Sequence, residues 1–251
     1  MLLATGVARD AGPHGVSARW SLLSSAASQY ADIPLAFYYL ASLGCMALAV
    51  ERRAQAGRWL FALGLSLTAA AWTKNEGLPW AVVGVLTTSV VVLVRGVPRA
   101  GFFWFLAGLI PLAVTLAVFK FGFAGPNDLI EGLAGVKPLD KLLDASRHEL
   151  IGEYLYAVVP RWVIWLPVVG LLLGVRRGVG LRVSAWLAVQ FGAVAAGYYA
   201  VYLLTPYDLR WHLGTSIDRL VLQLWPGFVF AVFYLLRTPE EVLSRATGEQ
   251  P

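Results

Sequence analysis

One cysteine, Cys45, stands alone among the 251 residues, which excludes an intramolecular disulfide and a Cys-rich zinc site. Its reading is that of a small apolar packer. Charge is scarce too, at 14% Asp, Glu, Lys and Arg, too little to cover a soluble single-core domain. Neither a Gly-x-x-x-x-Gly-Lys-Ser/Thr loop nor a Gly-x-Gly-x-x-Gly turn occurs, which argues against a nucleotide-bound donor held in a soluble pocket. Residues 1–30 lack a basic start followed by an apolar run and a small-residue cleavage site, so they do not read as a secretory signal.

What is present is apolar: 58% hydrophobic residues and a mean hydropathy of +0.66, a composition suited to lipid tails. The uncharged stretches run over Ile33 to Val50, Trp59 to Thr73, Gly77 to Val94, Gly101 to Phe119, Trp162 to Val175, Val183 to Pro206 and Leu220 to Leu236. Crossing hydrocarbon takes about 20 apolar residues. The expectation is an all-α, polytopic transmembrane bundle of about seven spans with an interfacial helix on its outer face. The second span borrows Arg58 and Lys74 as interfacial ends, and the fifth begins near Tyr154 with Arg161 at its polar end.

Cytoplasmic loops collect basic residues. Arg52, Arg53 and Arg58 follow the first stretch, Arg95 and Arg99 the third, Arg176, Arg177 and Arg182 the fifth, and Arg237 the seventh. Asp32, the turn Thr73 to Glu76, the segment Phe121 to Glu153 and the segment Tyr207 to Asp218 occupy the alternate ends, which therefore face away from the cytoplasm. On this reading the net charge of +5 reports membrane insertion, and no nucleic-acid surface is expected.

Residues capable of chemistry lie at those outer ends. Residues 15–30 place Trp20, Leu22 and Leu23 at amphipathic spacing, as an interfacial helix does. Asp32 is either a helix cap ahead of Pro34 or a functional acid. Lys74 and Glu76 either neutralise each other in a turn, or Lys74 offers a compact cation to a phosphate. Between Phe121 and Glu153, leucines 139, 142, 143 and 150 suggest an amphipathic helix on the outer surface. There Asp144 and His148 read as a solvated face, two ligands being too few for a metal. Gly170, Gly174 and Gly178 keep a spacing that suits helix packing near a turn. The richest loop, Leu204 to Arg219, crowds Asp208, Arg210, His212, Asp218 and Arg219 beside Tyr207 and Trp211. Arginine and histidine can hold phosphate there; alternatively Asp208 with Arg210, and Asp218 with Arg219, form exposed ion pairs.

Three strings carry a resemblance. Tyr30 to Tyr38 with its Asp32-Ile33-Pro34, Leu67 to Gly77 ending in Thr73-Lys74, and Trp211 to Pro226 together resemble integral-membrane glycosyltransferases of the GT-C type. The likeness is to the bacterial branch related to protein mannosyltransferases and aminoarabinose lipid A transferases. It implies transfer of a sugar from a polyprenyl-phosphate carrier to a glycan, lipid or protein acceptor on the periplasmic or extracellular face of a plasma membrane. A carboxylate takes the acceptor proton while cations stabilise the departing lipid phosphate.

By that resemblance Asp32 matches an acidic residue that positions acceptor or donor and is the candidate catalytic residue, and Lys74 matches a lysine near the lipid phosphate. Glu76, Arg210, His212, Asp218 and Arg219 are candidate donor or substrate contacts. The resemblance leaves a divalent metal cofactor open, since some relatives use such an ion and others none; no cofactor and no metal ligands are assigned. The family carries its principal acid in a first outer loop that this chain lacks, so the expectation is an N-terminally truncated chain, the alternatives being that Asp32 has taken on the base's role or that the protein is an inactive relative. The expected division is a non-spanning segment 1–31, a transmembrane domain 32–237 and a polar cytoplasmic tail 238–251. A transporter or flippase of lipid-linked sugars is the rival class and would show charges and broken helices at mid-bilayer; an inactive structural membrane protein is the third.

Overall fold

The computed structural model describes residues 31–94, 99–123, 138–174, 176 and 181–247. The interfacial segment expected over residues 15–30, the basic residues Arg95 and Arg177, and Gly178 lie outside them. Among the described residues the chain forms ten α-helices and no strand. These are α1 (Asp32–Glu51), α2 (Ala56–Thr73), α3 (Gly77–Leu93), α4 (Ala100–Gly122), α5 (Pro138–Leu142), α6 (Ala145–Val158), α7 (Leu166–Leu173), α8 (Leu181–Leu204), α9 (Leu209–Leu235) and α10 (Pro239–Thr247). Short 3-10 turns at Arg53–Gln55 and Arg161–Trp165 precede α2 and α7.

Among the described residues four helices, α1, α4, α9 and residues 183–204 of α8, are long and apolar enough to cross a membrane. At about 1.5 Å per residue, the 20 residues of α1 match the ~30 Å hydrocarbon core. Helix α3 is apolar but has 17 residues. Helix α6 and the Arg161–Leu173 segment pass as a fifth only if counted together, and they meet at 94°. The fifth stretch is therefore a broken span or a re-entrant loop, and not the continuous helix expected from Tyr154 onward. The cause is local: Pro160 lacks an N–H to continue α6, and the residue before it is held extended at ψ 124°.

The surface has the character of a membrane protein. Helix α4 buries only Gly101, Phe105 and Gly108, while Phe103, Trp104, Ile110, Val114 and Val118 are all more than half exposed. An apolar surface of that extent is unfavourable in water and ordinary in lipid. Lipid tails also remove the hydrophobic drive between helices, so association rests on close packing of small residues. The α2–α4 pair shows this directly. A Cβ on Gly64 would fall 2.5 Å from the Phe105 carbonyl oxygen, and one on Gly108 would fall 2.1 Å from that of Phe61. Gly57 faces Trp104 and Gly101 faces Leu60 at the start of the same pair, so the two helices run parallel.

The main core joins α1, α2, α3, α4, α8 and α9 around Tyr39, Leu43, Met46, Leu63, Leu67, Trp80, Phe105 and Trp186. A second cluster, Ile151, Tyr202, Leu203, Leu209, Leu213 and Ile217, packs α6 against α8 and α9. Polar residues gather at two opposite ends. At one, Arg176 lies 3.7 Å from Glu51 and 3.5 Å from Glu241, and Tyr234 donates to Glu51 at 2.9 Å. There the backbones of Arg176 and Leu235, and of Gly174 and Arg237, pair at 2.9 and 3.0 Å. Gly174, at φ +70°, ends α7 and its N–H donates to the Gly170 carbonyl, so these two glycines lie at a helix end, with Gly170 facing Leu236. The other end holds the candidate site.

Candidate functional site at the Asp32 end

The site begins with a tight hairpin between α2 and α3. The Thr73 hydroxyl folds back on the Ala69 carbonyl, Lys74 turns extended, and backbone bonds from Gly77 to Lys74 (2.9 Å) and Leu78 to Asn75 (3.1 Å) start α3. Gly77 is required by this turn, since a Cβ there would lie 2.0 Å from the Ala70 carbonyl oxygen. The hairpin therefore carries Lys74 back over the start of α1.

Asp32 waits there with 0% exposure. Lys74 Nζ donates to its Oδ1 at 2.8 Å, Arg219 Nε to its Oδ2 at 2.9 Å, and Gln223 Nε2 to Oδ1 at 2.5 Å. Lys74 also reaches Glu76 at 3.0 Å. Two carboxylates thus meet two cations from α9 and the hairpin, and the buried charge is neutralised as burial requires. The expectation that Asp32 caps α1 is corrected: Ala31 occupies the cap position without a side-chain bond, and the Asp32 carboxylate turns inward to α9. Lys74, at the end of α2, turns to Asp32 and keeps 20% side-chain exposure.

Below this cluster runs a chain of buried polar contacts. The Tyr39 hydroxyl donates to the Glu76 carbonyl at 2.8 Å and meets the Tyr198 hydroxyl at 3.2 Å. Tyr39 stacks on Trp80 with centroids 4.2 Å apart. Trp80 Nε1 donates to Ser42 Oγ at 3.0 Å, and Gln190 Nε2 donates to the Trp80 carbonyl at 2.8 Å. Asn75 accepts from Lys120 at 2.6 Å, tying α4 to the hairpin.

The segment expected as a long last loop is mostly helix. Only Thr205 to Asp208 separates α8 from α9, because Asp208 Oδ1 accepts from the Trp211 amide at 2.8 Å and caps α9. Helical periodicity then divides the candidates. His212 and Arg219 share a face two turns apart, with His212 Nδ1 at 2.9 Å from Thr205 Oγ1, while Arg210 and Asp218 are exposed. The alternative reading as two exposed ion pairs gives way to other contacts: Asp208 caps α9, and Asp218 accepts the Arg219 backbone N–H at 2.9 Å while Arg219 Nε donates to Asp32. The structure therefore unites Asp32, Lys74, Glu76 and Arg219, leaves His212 one step away beside Tyr202, and leaves Arg210 apart.

The segment between α4 and α6 follows its own logic. Its described part is two helices, α5 and α6, where one amphipathic helix was expected. Lys141 and Arg147 donate to the carbonyls of Thr205 and Tyr202, at 2.6 and 3.0 Å, satisfying acceptors at the end of α8. Burial, with Arg147 nearby, pushes the Lys141 ammonium below its ordinary range. Asp144 caps α6 through Ser146 (3.0 Å to the amide), and His148 bridges the Tyr199 hydroxyl and the Leu142 carbonyl. Among the described residues no three His, Cys, Asp or Glu side chains could hold a metal ion.

Gln223, Tyr39, Tyr198, Ser42 and Trp80 are polar partners that the sequence did not single out. Gln223 had a signal: it lies one turn beyond Arg219 on a helix face whose neighbours are apolar. No family model, curated protein or solved structure matches the chain.

Proposed function

We propose that this chain is a membrane-embedded glycosyltransferase, or part of one, that transfers a sugar from a polyprenyl-phosphate donor at the Asp32 end of the bundle. The observation that supports this reading is the convergence of Lys74 and Arg219, from distant parts of the chain, on one buried carboxylate. Both cations keep an accessible side, at 20% and 33% side-chain exposure, so a lipid phosphate can meet them where lipid gives way to water. Held cations of this kind stabilise charge developing on a departing phosphate without reorganising.

The roles of the two carboxylates separate by access. Asp32 has no exposed surface and both its oxygens already accept hydrogen bonds, so its part is to position Lys74 and Arg219. Glu76, at 32% exposure, is the carboxylate of this cluster able to reach an acceptor hydroxyl and take its proton. The bundle is read as about seven spans, with α5 and α6 on the same non-cytoplasmic face of a bacterial plasma membrane. A transporter reading has less support, since the ion pairs among described residues lie at the two ends of the bundle.

The test is reconstitution into liposomes with a panel of radiolabelled polyprenyl-phosphate sugars, following release of free polyprenyl phosphate. Lys74→Ala and Arg219→Gln should each abolish turnover, and Glu76→Gln should lower it by about 10²-fold or more. No turnover with any donor would rule the enzyme out, and turnover unchanged in all three variants at equal membrane abundance would rule out this site. Labelled donor crossing the bilayer with its sugar–phosphate bond intact would favour the flippase instead.

A further inference from the structure

Helices α3 and α8 pack against each other, and two stripes matter: Trp80 and Thr88, two turns apart on the buried side of α3, and Trp186, Gln190 and Tyr198, spaced by one and then two turns on α8. Two contacts fix their antiparallel register, Tyr198 on the Glu76 carbonyl and Gln190 on the Trp80 carbonyl. The register carries Thr88 toward the level of Trp186, within about two helical turns (5.4 Å each) of Gln190.

Three polar atoms on these stripes are buried without a protein partner: Thr88 Oγ1, Trp186 Nε1 and Gln190 Oε1. Their residues are 0%, 2% and 0% exposed. Thr88 is informative because its neighbours behave differently. Thr87 and Ser89 each return a hydroxyl bond to the carbonyl one turn back, at 2.7 and 2.8 Å, as helical hydroxyls do when nothing better is offered. The Thr88 hydroxyl makes no such bond, although burial leaves it no bulk solvent. Buried polar groups in folded proteins are satisfied by protein or by ordered water, and this demand is stricter where lipid surrounds the bundle.

The chemistry of the three atoms is complementary to water. Trp186 Nε1 can only donate, Gln190 Oε1 can only accept, and a threonine hydroxyl does either. An apolar ligand would leave all three unmet, and an ion would lack a charged partner on these stripes. We infer that the α3–α8 seam is an internal hydration site, in which ordered water accepts from Trp186, donates to Gln190 and engages Thr88. This site extends the polar chain of Glu76, Tyr39, Tyr198, Ser42 and Trp80 toward the opposite end of α3. It is independent of the glycosyltransferase reading.

Radiolytic hydroxyl-radical footprinting tests this in lipid nanodiscs, because bound water is converted in place to radicals that oxidise the side chains touching it. Oxidation of Trp186, normalised to intrinsic reactivity, should exceed that of Phe105 several-fold; Phe105 is also buried, at 0% against 2%, but lies in the α2–α4 contact. Thr88→Val should bring Trp186 down toward Phe105, and Thr88→Ser should retain the labelling. Trp186 as protected as Phe105 in the unsubstituted protein overturns the inference, whatever the fate of the variants. Labelling that persists unchanged in a folded Thr88→Val protein overturns it too, since water would then be held by other groups.

Discussion

Replacing Asp32 by asparagine should unlock three helices at once. The carboxylate is fully buried and accepts from Lys74 at 2.8 Å, Arg219 at 2.9 Å and Gln223. Asparagine keeps the size but removes the charge, and its NH₂ must point at one of these donors. Breaking a buried ion pair by removing one partner costs about 3–5 kcal/mol, whereas an exposed pair is worth about 0–1 kcal/mol. Here the lost partner is buried, while Lys74 keeps Glu76 at 3.0 Å and the two cations keep 20% and 33% exposure, so part of the loss is recovered. About 3 kcal/mol is the resulting expectation. At ~2–4 °C per kcal/mol for a chain of this size, the midpoint of thermal unfolding should fall by about 6–12 °C. The assay is thermal unfolding of the purified protein in one detergent, followed by size-exclusion chromatography, with Asp218→Asn alongside. Asp218 is exposed and accepts the neighbouring Arg219 backbone N–H, so its substitution should stay within about 0.5 kcal/mol. The Asp32→Asn/Arg219→Gln double variant should lose less than the sum of its parts, because each single change already breaks the pair. A shift for Asp32→Asn no larger than that of Asp218→Asn, or strict additivity in the double variant, would refute the reasoning.

Gly108→Leu should split α4 from α2, because even a Cβ at Gly108 would lie 2.1 Å from the Phe61 carbonyl oxygen; a cost of at least 1–3 kcal/mol, roughly, is expected in unfolding measurements, with Gly192→Ala, open on all sides, as the tolerated control. Ser42→Ala removes the acceptor of Trp80 Nε1 and should cost about 1–3 kcal/mol by leaving a buried N–H unmet, read from the same unfolding curves. Asp144 supplies a pH dependence: hydrogen bonds from Ser146 hold its carboxyl below the ordinary 3.8. A carboxyl lowered in the folded state stabilises above its unfolded pKa, and this contribution is lost as pH falls through the lowered value. Amide exchange at Ser146 should therefore accelerate on acidification below about pH 4, after correction for intrinsic rates, and Asp144→Asn should flatten that change.

Several features were legible in residues taken one by one. Apolar runs of near-spanning length predict helices, and α1, α3 and α4 begin and end within a few residues of the expected stretches, because lipid forces backbone groups to pair within each helix. The grouping of polar residues at opposite ends was legible too, since every crossing exchanges one face for the other. Asp32 with Lys74 and Glu76, and Arg176 with Glu51, duly meet at their respective ends.

Pairing across the bundle was not legible, because it depends on helix rotation and register, which no local periodicity specifies. The adjacent charges Asp218 and Arg219 read as a pair, yet on α9 successive side chains diverge by about 100°, and the guanidinium finds Asp32 instead. Capping of α9 by Asp208 turned an expected loop into eleven residues of helix, from Leu209 to Arg219. Pro160 stood in plain view, but whether it kinks or ends a helix depends on what the freed backbone packs against. By itself, then, the sequence determined the helices, their apolar surface and the ends at which charge collects, all set by the local cost of leaving backbone or charge in hydrocarbon. Tertiary structure alone decided which charges neutralise one another and which buried hydroxyls, amides and indoles remain for water, because those outcomes depend on distances of a few ångströms between helices far apart in the chain.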